Sequence, residues 1–382
     1  MDKKVVLEGC LGDWSKKSYI EPLAERARLG KIELYAVDVR DIKEDEDKAE
    51  YYKIPVIFVN RKSKEGKKKY NTIKDVDFVF VVAPHEFHCD IADYWLEEGR
   101  LNENGKIFIE KPLDSSVENI KELEEKYGEK ELNDRIIAVD HYVPKIIPLI
   151  KELKKTKGNY GKIKKVRINL LESDPILESR GKTLDEGLIL DIFPHVLAVF
   201  TKVMKVFDHY ELDANKFEIY EVKTGKYKGA PITGETSAKI GAEIEGIPLE
   251  SCIGKAVGNY DTKSLEFSFE RGLVTADFAS RVFSIEGDGG SIKGSLQKSH
   301  ISMLLDCIID KGRDKDEILR LSLNFNEGFE IVKVISKIRE KTGEPIEYEK
   351  SDSLDEILMK FRQFDKRYRK VMDIPEGNTN GT

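Results

Sequence analysis

Short apolar runs alternate with amphipathic stretches along the first part of the chain, and the alternation changes character near residue 142. Lys3 to Glu8 predicts a short buried strand. The turn Gly9-Cys10-Leu11-Gly12-Asp13 follows, then a helix from about Ser15 to Leu29. Pro22 should bend that helix, since it lacks a backbone N–H. Ile32 to Val37 predicts a second strand, ending at Asp38. Val76 to Val82 predicts a third, almost wholly apolar as a parallel strand covered on both faces should be, and ending at Ala83-Pro84. Glu86 to Glu98 and Val117 to Lys126 have helical spacing, and Ile107 to Ile109 and Arg135 to Val139 read as strands. Strand and helix taking turns in this way predict an α/β fold with a doubly wound, mostly parallel sheet and right-handed crossovers.

Beyond His141 the strands come consecutively. Lys145 to Lys154 and Gly187 to Val203 are helix-like, and the strand-like runs are Lys164 to Leu171, Phe217 to Val222, Ala238 to Ile244, Leu249 to Ala256, Leu265 to Phe269, Leu273 to Phe278 and Val282 to Glu286. Short glycine-containing turns such as Glu270-Arg271-Gly272 between them imply a large open, mainly antiparallel sheet. Helices at roughly Ser299 to Asp310, Asp316 to Thr342 and Leu354 to Tyr368 complete an α+β region. The expected organisation is therefore one domain over 1–142, a second over 143–372, and a flexible tail over 373–382.

Length and composition fit two domains: 382 residues, 40% hydrophobic and 35% charged, with a net charge of -7. Basic and acidic residues are mixed, which argues against a nucleic-acid partner. The basic stretch Arg61 to Lys69 reads as a solvated loop. No apolar run is long enough to span a bilayer, so no membrane partner is expected. Cys10, Cys89, Cys252 and Cys307 are scattered, which predicts neither a disulfide framework nor a metal site and fits a cytoplasmic location.

Two groups of residues carry candidate chemistry. Gly9-x-x-Gly12-x-x-Ser15 lies where a strand turns into a helix, with Leu11 at the middle position of the usual three-glycine turn. Such a turn lets the backbone and a helix N-terminus approach a pyrophosphate. Asp38 at the end of the next strand suits ribose hydroxyls, or it caps its own turn. Arg40 would instead suit a 2'-phosphate, so NAD is slightly favoured over NADP. The second group combines Glu110-Lys111-Pro112, just past a strand, with Asp191 and His195, four residues apart on one predicted helix face. Moving a hydride off a hydroxyl needs a base and a positive group near the oxygen, and imidazole and ammonium can supply them.

These residues resemble a known family. Val76-Asp77-Phe78-Val79, Pro84-His85-Glu86-Phe87-His88, Glu110-Lys111-Pro112 and the Asp191–His195 spacing are similar to motifs of the Gfo/Idh/MocA oxidoreductases. Gly9 to Lys17 resembles the G-x-x-G-D-x-x-K opening of glucose-6-phosphate dehydrogenases, and Asp140-His141-Tyr142-Val143-Pro144-Lys145 their D-H-Y-x-G-K motif, with proline in place of glycine. The resemblance implies a Rossmann domain followed by a substrate-binding and oligomerisation domain. It implies catalytic roles for Lys111, Asp191 and His195, with a Lys111–Pro112 bond that can be cis. Cofactor contacts would come from Gly9, Gly12, Asp13, Asp38, Arg40, Ala83, Pro84, His88, Glu110 and Lys111. Substrate contacts would come from Lys111, Asp140, His141, Lys145, Arg180, Asp191 and His195. Asp140 and Asp191 compete to orient His195.

The implied activity is an NAD(P)-dependent dehydrogenase of a sugar, cyclitol or sugar phosphate, acting as a homo-oligomer. The alternatives are a non-catalytic dinucleotide-binding regulator of the same fold, or a reductase of a keto-sugar or sugar nucleotide.

Overall fold

The computed structural model describes residues 3–40, 56–97, 99–172, 187–208, 212–223, 226–227, 230–231, 237–255, 262–288, 290–297, 301–312 and 315–342. Arg180, the expected helix over Leu354 to Tyr368 and the tail over 373–382 lie outside these residues. The described chain divides into two units: residues 1–147 with 299–336, and residues 148–298 with 337–382.

The first unit opens with β1 (Lys3–Glu8). A helix, α1, follows in three consecutive pieces: Asp13–Ser15, a π turn over Lys16–Ile20, and Glu21–Arg28. The wide turn comes directly before Pro22, whose missing N–H interrupts the regular ladder at the place the sequence marked. Then come β2 (Ile32–Asp38), β3 (Ile57–Asn60), α2 (Lys64–Thr72), β4 (Val76–Val81), α3 (His88–Leu96), β5 (Leu101–Glu110), α4 (Val117–Tyr127), α5 (Glu129–Arg135) and β6 (Ile136–Val139). The six strands are parallel in the order β3-β2-β1-β4-β5-β6, so the winding reverses between β1 and β4. Their apolar side chains, Val5, Leu7, Leu34, Phe80, Phe108 and Ile137 among them, form the core under the helices.

The basic stretch read as a loop is a helix for most of its length. Ser63 Oγ accepts the Gly66 N–H at 3.0 Å and caps α2, and Tyr70 anchors the far end in the interior. The lysines of α2 face outward. Their number hid a helix that buries little more than Gly66 and Tyr70.

In the second unit, α6 (Ile147–Thr156) leads into β7 (Ile163–Glu172), α7 (Leu188–Asp191) and α8 (Phe193–Met204). The strands β8 (Phe217–Lys223), β11 (Ser237–Ile244), β12 (Ile247–Lys255), β13 (Thr262–Phe269), β14 (Gly272–Asp277), β15 (Val282–Gly287) and β16 (Gly290–Ser295) join β7 in an eight-stranded sheet. The two-residue strands β9 (Lys226–Tyr227) and β10 (Ala230–Pro231) pair apart from it. Its order is β16-β15-β14-β13-β7-β12-β11-β8, antiparallel except for β7 beside β12. One face packs on helices, with α8 against β7 and α7 against β11 and β12. The other carries a charged row in which Glu250 pairs with Lys165 and Arg167, and Arg167 also with Glu266.

The chain then returns to the first unit with α9 (Ile301–Leu305, continued by a π turn over Asp306–Asp310), α10 (Lys315–Arg320), β17 (Leu323–Asn324) and the greater part of α11 (Phe325–Thr342), whose residues after Ser336 belong to the second unit. The single helix expected over Asp316 to Thr342 is thus interrupted by β17, which adds an antiparallel edge strand to β6. Arg26 on α1, almost fully buried, bonds Asp306 and holds Asp310 at 2.7 Å. Lys3 Nζ caps the carbonyls of Ile308 and Ile309 at 3.0 and 3.2 Å. No helix among the described residues is long and apolar enough to cross a membrane.

Candidate functional site

The carboxyl ends of β1, β4, β5 and β6 lie side by side, and open α/β sheets bind ligands at this edge, beside the point where the winding reverses. Gly9 begins the turn after β1 with φ +79°. A Cβ there would lie 2.6 Å from Ala83 N and 2.7 Å from Ala83 Cα, so only glycine lets the turn meet the loop after β4. Gly9 N and Cys10 N both donate to Val37 O, at 2.9 and 3.2 Å, and Gly12 N donates back to Gly9 O at 3.2 Å.

Asp38, at the end of β2, closes this turn from the other side. Its Oδ2 accepts the Leu11 N–H at 2.9 Å, and its Oδ1 accepts the Val39 and Arg40 N–H groups at 2.8 and 3.0 Å. Arg40 Nε adds a contact of 3.2 Å to the same carboxylate. Asp38 therefore caps its own turn and the glycine turn at once. Asp13, by contrast, is exposed on the first turn of α1.

The turn fits a dinucleotide. A Cβ on Gly12 would meet only Gly9 O, at 3.4 Å, leaving that face of the turn open. Ser15 Oγ, in the first turn of α1, is fully buried with no hydrogen-bond partner among the described residues. The first N–H groups of α1 have no carbonyl earlier in the helix to receive them.

Glu110 ends β5 and is buried. Tyr19 Oη donates to its Oε1 at 2.5 Å and Trp14 Nε1 at 3.2 Å. Burial pushes its pKa up, opposed by those two donors and by the Lys111 ammonium, while Asp140 adds to the rise. Glu110 thus ties α1 to the strand end that carries Lys111, and the Lys111–Pro112 peptide is cis. Sequence reasoning missed Trp14 and Tyr19. The available signal was a tryptophan on the glycine turn itself, three residues C-terminal to Leu11.

Asp140 follows β6 and is buried, its Oδ1 accepting the Tyr142 and Val143 N–H groups at 2.8 and 3.3 Å. The His141 ring lies 5.3 Å from the Trp14 ring and 4.6 Å from that of Tyr142. Lys145 Nζ sits 4.4 Å over the Tyr142 ring, in a short 3-10 turn over Pro144–Ile146. Trp14 therefore touches both Glu110 and His141, joining motifs more than 90 residues apart in sequence.

His88 opens α3, after a 3-10 turn over His85–Phe87. Its ring is buried, with Nδ1 2.9 Å from Pro112 O and Nε2 2.8 Å from Ala83 O. Burial pushes its pKa down, opposed by the two carbonyls and by Asp114. Glu8, at the end of β1, is a further buried acid. It accepts from Tyr70 Oη at 2.5 Å and Trp95 Nε1 at 2.9 Å, and burial raises its pKa. Its signal in the sequence was a charge closing the apolar run Val5-Val6-Leu7.

In the second unit, Asp191 and His195 do not share one regular helix as expected. Asp191 ends α7, Ile192 (φ -103°) breaks the path, and His195 lies in the first turn of α8. Pro194 has no N–H to give to the preceding turn, so the helix restarts and His195 N donates to Ile192 O at 3.0 Å. His195 is buried, and Asp191 is half-buried.

Residues 3–136 match the family described as oxidoreductase family, NAD-binding Rossmann fold (Gfo/Idh/MocA). No curated protein sequence matches the chain. Among solved structures, the transcriptional regulator Gal80p from Kluyveromyces lactis is similar at 16% identity over 89% of each chain, with a TM-score of 0.66. Glucose-6-phosphate 1-dehydrogenase from Mycobacterium avium is similar at 15% identity over 90% of this chain and 92% of its own, TM-score 0.63. UDP-N-acetylglucosamine 3-dehydrogenase GnnA from Acidithiobacillus ferrooxidans is similar at 14% identity over 89% and 97%, TM-score 0.60. At these identities the likeness is one of fold.

Proposed function

We propose, from a first unit that groups with the Gfo/Idh/MocA oxidoreductases over residues 3–136, that this chain is an NAD(P)-dependent oxidoreductase. Its substrate is a sugar, cyclitol or sugar phosphate, oxidised at a hydroxyl or reduced at a carbonyl. The observation that supports this most is the gathering of an open glycine turn, Glu110-Lys111 and Asp140-His141 at the carboxyl edge of one parallel sheet.

Gly9, Gly12 and the first turn of α1 would hold the pyrophosphate, with Asp38 and Arg40 at the adenosine end. Asp38 favours an unphosphorylated ribose, because its carboxylate repels a 2'-phosphate. Bound there, the nicotinamide supplies the hydride acceptor. Lys111 offsets the negative charge that develops on the substrate oxygen. His195 takes the hydroxyl proton, and Asp191 or Asp140 stabilises the protonated ring. His141 and Lys145 offer hydrogen bonds and positive charge to a sugar or its phosphate.

Titration with NADH and NADPH, then turnover on a panel of polyols and sugar phosphates, tests the reading. Lys111→Ala should retain dinucleotide binding and lose roughly 100-fold or more in kcat. His195→Ala should lose on the order of 100- to 10,000-fold. Unchanged turnover in either variant refutes its assigned role. Tight NADH binding with no turnover of any polyol would favour a regulator, the role that the name of Gal80p carries.

A further inference from the structure

The loop after β4 and the segment after β5 both border the site, yet no strand pairing joins Ala83 to Pro112. A single buried ring does. His88 places one nitrogen 2.8 Å from Ala83 O and the other 2.9 Å from Pro112 O, with 1% of its surface exposed. A neutral imidazole donates through one nitrogen at a time, and the protonated ring through both. In each form the ring's hydrogen-bonding atoms are directed at backbone carbonyls.

The contacts continue on both sides. Ala83 is the residue against which the Gly9 turn presses, with a Cβ on Gly9 falling 2.6 Å from its nitrogen. Pro112 directly follows Lys111. Beyond it, Asp114 Oδ2 accepts the N–H of Cys89, the residue after His88, at 3.0 Å, and Asp114 Oδ1 holds Ser116 N at 2.9 Å and Asn119 Nδ2 at 3.1 Å. A continuous path therefore runs from the glycine turn through Ala83, His88 and Pro112 to the segment carrying Lys111, with Asp114 fixing the helix start from which His88 projects.

We infer that His88 is a positioning residue: it sets the Lys111–Pro112 segment relative to the glycine turn through two backbone carbonyls, and does not itself touch the dinucleotide. The inference rests on the proposed function only for its consequence, that the reactive amine is held in register with the cofactor turn. Loosening this one ring frees both loops at once. Trimming an exposed contact on either loop would disturb one loop alone.

The test compares hydrogen exchange in the full-length chain, without added dinucleotide, for wild type, His88→Phe and His88→Gln. Phenylalanine fills the volume but removes the ring N–H that faces the Ala83 and Pro112 carbonyls, the second of them buried, and glutamine retains an amide donor. In His88→Phe, exchange should rise about tenfold or more across both Lys106–Ser116 and Val82–Phe87. It should recover in part in His88→Gln and stay unchanged in Ile32–Asp38 of the same sheet. NADH affinity should fall in step with the exchange. Unchanged exchange in Lys106–Ser116 overturns the inference. So does NADH affinity lost at unchanged exchange, the signature of direct contact. If His88→Phe does not fold, His88→Gln alone decides by the same criteria. Exchange without ligand is independent of turnover, so failure of the proposed function would leave this readout intact.

Discussion

Replacing Gly9 by alanine tests the geometry on which the glycine turn after β1 depends. Two costs add. An alanine at φ +79° pays the left-handed penalty of about 1–2 kcal/mol. Its Cβ would also lie 2.6 Å from Ala83 N, 2.7 Å from Ala83 Cα and 2.9 Å from Val82 C, all backbone atoms that no rotamer change can move aside. Overpacking of this kind costs about 1–3 kcal/mol. The sum, about 2–5 kcal/mol, is a large part of a typical domain's stability. Gly30 supplies the control, with φ +67° and nothing within 4 Å of where its methyl group would sit, so Gly30→Ala pays only the first cost. The chain has two tryptophans, Trp14 and Trp95, both in the first unit, so their fluorescence during urea unfolding reports that unit alone. Gly9→Ala should unfold at roughly 1–2 M lower urea than wild type, and Gly30→Ala should shift distinctly less. Dinucleotide affinity should drop at least about tenfold in Gly9→Ala and remain unchanged in Gly30→Ala. Equal urea shifts in the two variants would refute the close approach to Ala83.

Other consequences concern single contacts. Burial raises the Glu110 pKa above its ordinary value near 4.5, so the folded chain holds that proton more tightly than the unfolded one. The stability of wild type relative to Glu110→Gln should therefore increase as pH is lowered from 7 toward 4.5, as read by urea unfolding at each pH. A difference that stays flat or shrinks on acidification contradicts the assignment. Ser63→Ala removes the cap of α2 and should cost about 1 kcal/mol, with faster hydrogen exchange confined to Lys64–Thr72. If that segment exchanges as fast in wild type, it is not a capped helix. Arg26→Ala removes charge-assisted bonds to Asp306 and Asp310 and should cost about 2 kcal/mol. The loss should appear as faster exchange in Ile301–Asp310, and an unaltered rate there would show that the returning segment is held by its apolar contacts alone.

The order of strands and helices was legible from residue patterns alone, because side chains at period two or near four select local backbone states whatever lies beyond them. The apolar run Val76 to Val82 had to be a covered parallel strand, and Gly9 had to be glycine at a strand-to-helix turn. The proline at position 22 marked the irregular turn in α1 in the same local way. Where local cues were weak or contradictory, the reading failed. Lysines masked α2, a two-residue edge strand was too short to leave a period, and Pro194 divided a helix that the Asp191 and His195 spacing had joined. Which distant residues share one environment emerged only from the folded chain. Tyr19 and Trp14 meet Glu110 across 91 and 96 residues, and His88 meets Pro112 across 24. Such pairs carry no periodicity, since they arise when parallel strands align their carboxyl ends and most of the polar groups buried there take partners from whichever segment lies alongside.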